Sequence, residues 1–262
     1  MGNFFTKIVK PDIVNGDISN IQAANKSHVD IDAGDVIFDW TEVQMPKGGA
    51  LLTGVSAIIN AEDGAYGSGS ISDYQLIFAK SVNGEAPSSL GTVGGAATGG
   101  FDLMNHYVGG LVLASSAGSY SLDLLRFHVA YSSGASTRFH TQTSIQLEPS
   151  HNNEPYEKLY VAGIQHDARG YQTGVIVNGA ITSDTETVIT VDGINAHKIF
   201  EPGDTVYLHD VDTALGTVKS INSDGTAITL NAAIAGGTDL ADDDELVNAN
   251  PIKLLLHFEK GF

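Results

Sequence analysis

The stretch 238–248, TDLADDDELVN, gathers Asp239, Asp242, Asp243, Asp244 and Glu245 within seven residues. Crowded carboxylates are what a hard cation such as calcium takes as ligands. A calcium loop of the EF-hand type needs ligands at alternating positions and a glycine at its bend. Asp242 and Asp244 alternate, but Leu246 takes the next position, and counting from Asp239 fails at Ala241. A second acidic stretch, HDVDTALG, offers Asp210 and Asp212 and stops at Ala214. The spacing fits a solvated turn leading into a strand. Weak calcium binding by oxygens drawn from two loops is the alternative.

The other chemistry-bearing residues give no motif. The nine histidines lie at positions 28, 106, 128, 140, 151, 166, 197, 209 and 257, and no HExxH is present. His128, His140 and His257 fall on strand-like segments opposite the apolar stripe, where a polar sheet face is the plain reading. There is no cysteine, which removes disulfides, thiolate metal sites and cysteine nucleophiles. No G-x-S-x-G elbow, Walker loop or G-x-G-x-x-G occurs. Carboxylates are plentiful enough for a glycosidase pair. Yet Trp40, the single tryptophan, sits inside an apolar strand and reads as core, not as a sugar platform. The sequence therefore assigns no catalytic, cofactor-binding or metal-binding residue and implies no cofactor.

The elements that would position any site are strands. ALLTGVSAIIN places Leu51, Thr53, Val55, Ala57 and Ile59 on one face, and DYQLIFAK does the same with Tyr74, Leu76 and Phe78. Such alternation marks strands with one buried side. A strand is also expected around Val36 to Val43. Leu125, Phe127, Val129 and Tyr131 are expected inward in the next, and Phe139 to Leu147 alternate cleanly. KLYVAGI reads as a short strand. AEDGAYGSGS and SLGTVGGAATGG are glycine-rich and read as flexible exposed loops that touch a neighbour. In FDLMNHYVGGLVLAS, Phe101, Met104, Val108 and Leu111 have helical spacing, which Gly109 and Gly110 weaken.

Composition changes after Gly170. Residues 171–250 carry thirteen acidic and two basic side chains, Lys198 and Lys219, within a net charge of −18 for the 262 residues. Short strand signals recur there, and Asp224-Gly225 between apolar runs marks a tight hairpin. The segment reads as a small antiparallel barrel or sandwich of five or six strands. NPIKLLLHFEKGF then sets Ile252, Leu254, Leu256 and Phe258 on one face, which needs a large sheet to cover it. The expected fold is all-β. An antiparallel β-sandwich of jelly-roll or Ig-like type comprises residues 1–170 with 251–262, and the acidic module 171–250 is inserted into it. Two consecutive domains are the alternative arrangement. The charge disfavours nucleic acid and anionic membranes, since only 13 Lys and Arg are available against 31 Asp and Glu. No apolar run reaches the ~20 residues of a membrane-spanning helix, and the start of the chain lacks the apolar core of a signal peptide.

FEPGDTVYLHDVDTALGTVKSINSDGTAITLNAA resembles the small β-modules of tailed-bacteriophage head and tail proteins, with their PGD, LGTV and ITL cadence. DYQLIFAKSVNGEAPSSLGT is similar to their loop-rich β-sandwich portions. Within that group the chain looks most like capsid decoration (cement) proteins. The resemblance implies a non-enzymatic virion protein, assembled in the host cytoplasm. Such a protein binds the major capsid protein or other virion proteins as a homo-oligomer, a trimer being one arrangement. A tail, baseplate or fibre component binding a host glycan is the competing reading, and a carbohydrate-active β-protein a further one.

Overall fold

The computed structural model describes residues 3–15, 30–60, 73–113, 119–122, 125–131, 143–145, 155–182, 185–209, 211–234 and 238–260. The fold is an all-β sandwich, with one four-residue helix, α1 (Leu103–His106), and a 3-10 turn at Ala196–Lys198 among the described residues. One layer runs β1-β18-β4-β8-β7: β1 (Asn3–Val9), β18 (Ile252–Lys260), β4 (Ala50–Asn60), β8 (Leu125–Tyr131) and β7 (Ser119–Leu122). β9 (Thr143–Ile145) pairs with β4 beyond the end of β8. The facing layer runs β3-β10-β5-β6: β3 (Val36–Pro46), β10 (Tyr156–Gln165), β5 (Tyr74–Lys80) and β6 (Tyr107–Leu113). A small ribbon joins β2 (Asp30–Ile31) to β11 (Arg169–Gly170).

The alternation read in 252–258 is the burial pattern of β18. Ile252, Leu254, Leu256 and Phe258 are buried in the core between the two layers, and the intervening side chains are half-exposed. β18 lies between the first strand of the chain and β4, antiparallel to both. Phe5 of β1 stacks on Phe258 at 5.2 Å between ring centroids.

β4 corrects one expectation. Val55, Ala57 and Ile59 face the core, but Leu51 and Thr53 do not; Ala50 and Leu52 are buried in their place. The cause is an irregularity in register: His257 pairs with Gly54 while the adjacent Phe258 pairs with Leu52, so Thr53 is an extra residue. One inserted residue moves every side chain beyond it to the opposite face. β5 shows the opposite limit: as an inner strand it buries both faces, Ile77 and Ala79 as well as Tyr74, Leu76 and Phe78. β10 runs for ten residues, longer than its apolar run suggests. The side chains of β8 and most of 137–149 lie outside the described residues.

The acidic segment forms its own six-stranded sheet, in the order β12-β13-β16-β15-β14-β17. Its strands are β12 (Val175–Val177), β13 (Val188–Gly193), β14 (Thr205–Leu208), β15 (Val211–Ile221), β16 (Ala227–Leu230) and β17 (Leu246–Asn248). Sixteen buried residues, from Val175 to Leu246, form a core separate from that of the sandwich. The hairpin between β15 and β16 forms at Asp224-Gly225. Gly225 has φ +71°, and a Cβ there would lie 2.0 Å from Asn195 Oδ1, so both conformation and space require glycine. The sheet also closes on itself. Val177 N–H donates to the Asp244 carbonyl, Asp243 N–H donates to the Val177 carbonyl, and Ile181 and Leu240 exchange two bonds. A closed sheet presents no edge to other chains.

Leu254 is fully buried between the layers. Leu254→Ala is expected to cost about 3 kcal/mol, transfer plus cavity, read as a lower urea midpoint. An unchanged midpoint contradicts this placement of β18.

Candidate docking surface

The acidic knot turns out to be a latch. Asp242 Oδ1 accepts from the Gly179 N–H at 2.6 Å, and Asp244 Oδ2 accepts from the Ala241 N–H at 2.6 Å. Glu245 Oε1 accepts from both the Thr173 and the Gly174 N–H, at 2.8 and 3.0 Å. These carboxylates satisfy backbone donors along the line where the barrel closes. The expected solvated turn before a strand is there: Asp242 and Asp243 are exposed, Asp243 at φ +70°, while Asp244 and Glu245 are half-buried as the chain enters β17. Asp210 and the side chain of Asp212 lie outside the described residues.

Histidines are scattered in the same structural way. His257 bridges two hydroxyls, Thr6 Oγ1 at 3.1 Å and Ser56 Oγ at 3.2 Å, on the outer face of the sheet. His197 Nε2 donates to the Asn222 carbonyl beside the β15–β16 hairpin. His166 meets Gln75 at the start of β5. His28, His140 and His151 fall outside the described residues, as does the side chain of His128. Among the described residues, no three His, Asp or Glu side chains converge as metal ligands. Trp40 is half-buried against the sandwich core and its Nε1 donates to the Ser88 carbonyl at 2.9 Å.

That last bond leads to the surface feature that sequence reading missed. The long connection from β5 to α1 is a built platform, not the flexible loop its glycines suggest. Leu90 and Val93 are buried in the main core. Val36 and the 94–95 backbone exchange two bonds, Gly94 N–H to the Val36 carbonyl and Val36 N–H to the Gly95 carbonyl. Gly99 and Gly100 N–H donate to the Leu90 and Ser89 carbonyls at 2.6 and 2.8 Å. A Cβ on Gly99 would stand 2.0 Å from the Ser89 carbonyl oxygen, so here glycine permits close packing of two backbones. Glycine served rigidity at this point, and composition alone does not tell the two uses apart. The other connection read as flexible, 61–70, lies outside the described residues.

Two side-chain anchors hold the end of the platform. Asp102 accepts from the Ser88 N–H through both oxygens, at 3.0 and 3.2 Å, and Asp39 Oδ1 accepts from the Leu90 N–H at 3.1 Å. His106 is buried; its Nδ1 donates to the Lys80 carbonyl at 2.8 Å and its Nε2 lies 3.3 Å from Asp102 Oδ2. Desolvation pushes the Asp102 carboxyl up, but the Ser88 hydrogen bonds and the charge of His106 outweigh it and hold the group below its ordinary value.

On this platform Phe101 is 91% exposed, Met104 97% and Tyr107 54%. Helical spacing had grouped Phe101 and Met104 with Val108 and Leu111 as one stripe. The helix is in fact a single turn; Leu103 and Val108 pack against the core, Leu111 is buried in β6, and Phe101 and Met104 point away. On a pinned backbone, covering these residues costs side-chain freedom alone, little for the aromatic ring and more for the flexible thioether. That is the pattern of an anchor residue at a protein interface.

The chain matches no protein-family model and no curated protein sequence.

Two outcomes are expected. Glu245→Ala removes a carboxylate that serves two backbone donors and is expected to cost about 2 kcal/mol, while Asp243→Asn stays within about 0.5 kcal/mol. Equal effects in chemical denaturation contradict the latch.

The second concerns pH. With its folded value below the ordinary 3.8, Asp102 contributes stability above that pH, and the contribution is lost as pH falls through the lowered value. Trp40 fluorescence reports on the neighbouring Ser88. Between about pH 5 and pH 2 the wild type is expected to show a fluorescence change, ahead of global unfolding by circular dichroism, that Asp102→Asn lacks. The same transition in both proteins contradicts the anchor.

Proposed function

We propose that this chain is a non-enzymatic virion structural protein of a tailed bacteriophage, a decoration protein that docks on the capsid lattice and strengthens it. The observation that carries the docking is the pinned platform with Phe101 and Met104 almost fully exposed. A residue held by hydrogen bonds yet covered by nothing among the described residues suits contact with another protein. Small exposed apolar groups of this kind bind weakly one at a time. Repeated across a lattice, or joined to a second contact on the same chain, they give firm attachment because later contacts form at high effective concentration. The partner class, the major capsid protein or another virion protein, follows from the resemblance of the β-modules.

The high negative charge and the closed barrel suit the same task. A shell-strengthening protein accumulates to high concentration before it binds. Like charge and the lack of a free edge in the barrel both oppose premature aggregation.

The test uses particles assembled without this chain. Such particles are expected to form and to burst at lower temperature or under milder osmotic shock. Added wild-type protein is expected to restore resistance. Phe101→Asp/Met104→Asp, with unchanged melting of the free protein, is expected to bind particles at least tenfold more weakly. If particles without the chain are equally robust but fail to adsorb to cells, the tail or adhesin reading replaces this one.

A further inference from the structure

β1 is an edge strand: among the described residues it pairs only with β18, through seven residues in unbroken register. Among the described residues no strand pairs with its far side, which presents the backbone donors and acceptors of a sheet edge. The nearest strand of the facing layer, β3, does not pair with it. The two edges are instead separated by a cleft of about 350 Å3, between residues 7–10 and 41–44. Sheet edges are ordinarily blunted by proline, bulges, inward charges or shortness. β3 shows such features, with Pro46 at its end, Asp39 and Glu42 along it and register shifts against β10. β1 has neither proline nor register shift, and its one charged residue is Lys7.

The side chains along this edge are unusual too. Phe4 is 72% and Ile8 62% exposed, on the outer face of the sheet, with Thr6 between them. The two apolar residues are equidistant from Thr6. If two β1 strands meet antiparallel about a two-fold axis through Thr6, Phe4 of each stands opposite Ile8 of the other, and Phe5 opposite Lys7. Both exposed apolar residues are then covered twice by one operation. Aromatic and β-branched residues directly opposite are favourable cross-strand pairs. No carboxylate precedes Asp12 in the sequence, whereas Lys7 and Lys10 do. In a protein of charge −18, a strand whose one charged residue is a lysine adds no carboxylate of its own to the repulsion between copies.

We propose that two copies of this chain associate through β1, antiparallel about Thr6, fusing the two outer sheets into one continuous sheet across an isologous interface. The open edge explains why the occupant is a strand, and the symmetry of Phe4 and Ile8 about Thr6 explains why that strand is another copy. The inference stands apart from the proposed function: it uses neither the 88–107 platform nor a capsid.

The chain has no cysteine, so single cysteines report the register directly. Directly opposed residues bring their Cβ atoms within reach of a disulfide, whereas residues four apart along a strand are about 13 Å removed. The wild type is expected to sediment as a dimer at high micromolar concentration, with the dimer tightening as salt is raised, because the repulsion between copies is screened. Thr6→Cys is expected to form a covalent dimer on mild oxidation, and so is Phe4→Cys/Ile8→Cys, whereas Phe4→Cys alone gives none. Phe4→Glu/Ile8→Glu, which leaves β18 and the core untouched, is expected to remain folded by circular dichroism and lose the dimer. A wild-type chain that is monomeric under these conditions overturns the proposal. So does a dimer that survives Phe4→Glu/Ile8→Glu, or one in which Phe4→Cys cross-links as well as Thr6→Cys.

Discussion

Asp204 is the point on which the two parts of the molecule are fixed. It is almost fully buried where the barrel meets the sandwich. One oxygen accepts from Lys10, just past β1, at 2.8 Å; the other accepts from Asn248 of β17 at 3.1 Å and from the Glu201 N–H at 2.8 Å. Glu201 in turn binds Lys10 and Lys253, so both strands that flank the return of the chain are tied to the same turn of the barrel. Burial drives the Asp204 carboxyl above its ordinary value, and the partners offset this only in part. For Glu201 burial acts the same way, but Lys10 and Lys253 outweigh it and the value falls. Burial lowers Lys10, and its two acidic partners more than reverse that. The signs then differ. Glu201 adds stability above its ordinary 4.5 that is lost as pH falls through its lowered value. Lys10 adds stability below 10.5 that is lost as pH rises through its raised value. Asp204 alone favours its protonated form, so its contribution is present below 3.8 and is lost as pH rises through the raised value. Against that burial, Lys10 and the amide donors favour its charged form. Breaking such a group's partnership costs far more than an exposed pair is worth.

Carboxylates that serve as acceptors for backbone donors also explain how so acidic a segment folds. Several of its carboxylates are bonded to backbone N–H groups: Asp242 to Gly179, Asp244 to Ala241, Glu245 to Thr173 and Gly174. Each is a charge-assisted bond, stronger than a neutral one, and each fills a donor that irregular backbone leaves open. Negative charge gathers where turns and the closing seam need acceptors. No cation is required to account for the knot.

Much of the strand layout was legible because a sheet with one buried face writes itself as alternation. Ile252 to Phe258 is the clearest case, and the Asp224-Gly225 hairpin follows from the positive φ that glycine accepts. What was not legible depends on contacts distant in sequence. The extra residue at Thr53 reverses half of β4, and nothing local signals it, because the partner that exposes it is β18, some two hundred positions away. The platform was misread for a related reason. Glycines at 91–100 look like slack, yet Gly99 is there because the Ser89 carbonyl occupies the space of a side chain. Helical spacing grouped Phe101 and Met104 with Val108 and Leu111; only the packing of Leu103 and Val108 against the core separates the two that turn inward from the two that do not.

The molecule therefore has two kinds of exposed apolar group, and they differ in what holds them. Phe101 and Met104 sit on irregular backbone beside donors that are already met: Ser88 by Asp102, Gly99 and Gly100 by the Leu90 and Ser89 carbonyls, and Gly94 by Val36 of β3. Recognition there rests chiefly on side-chain contact, on the shape of the pocket that receives the ring and the thioether. Phe4 and Ile8 sit on a strand whose outer edge meets no other strand among the described residues. A partner there must supply a strand, and its identity is set by what stands opposite each residue. The first surface tolerates any protein with a matching apolar pocket; the second accepts only an extended segment of matching register.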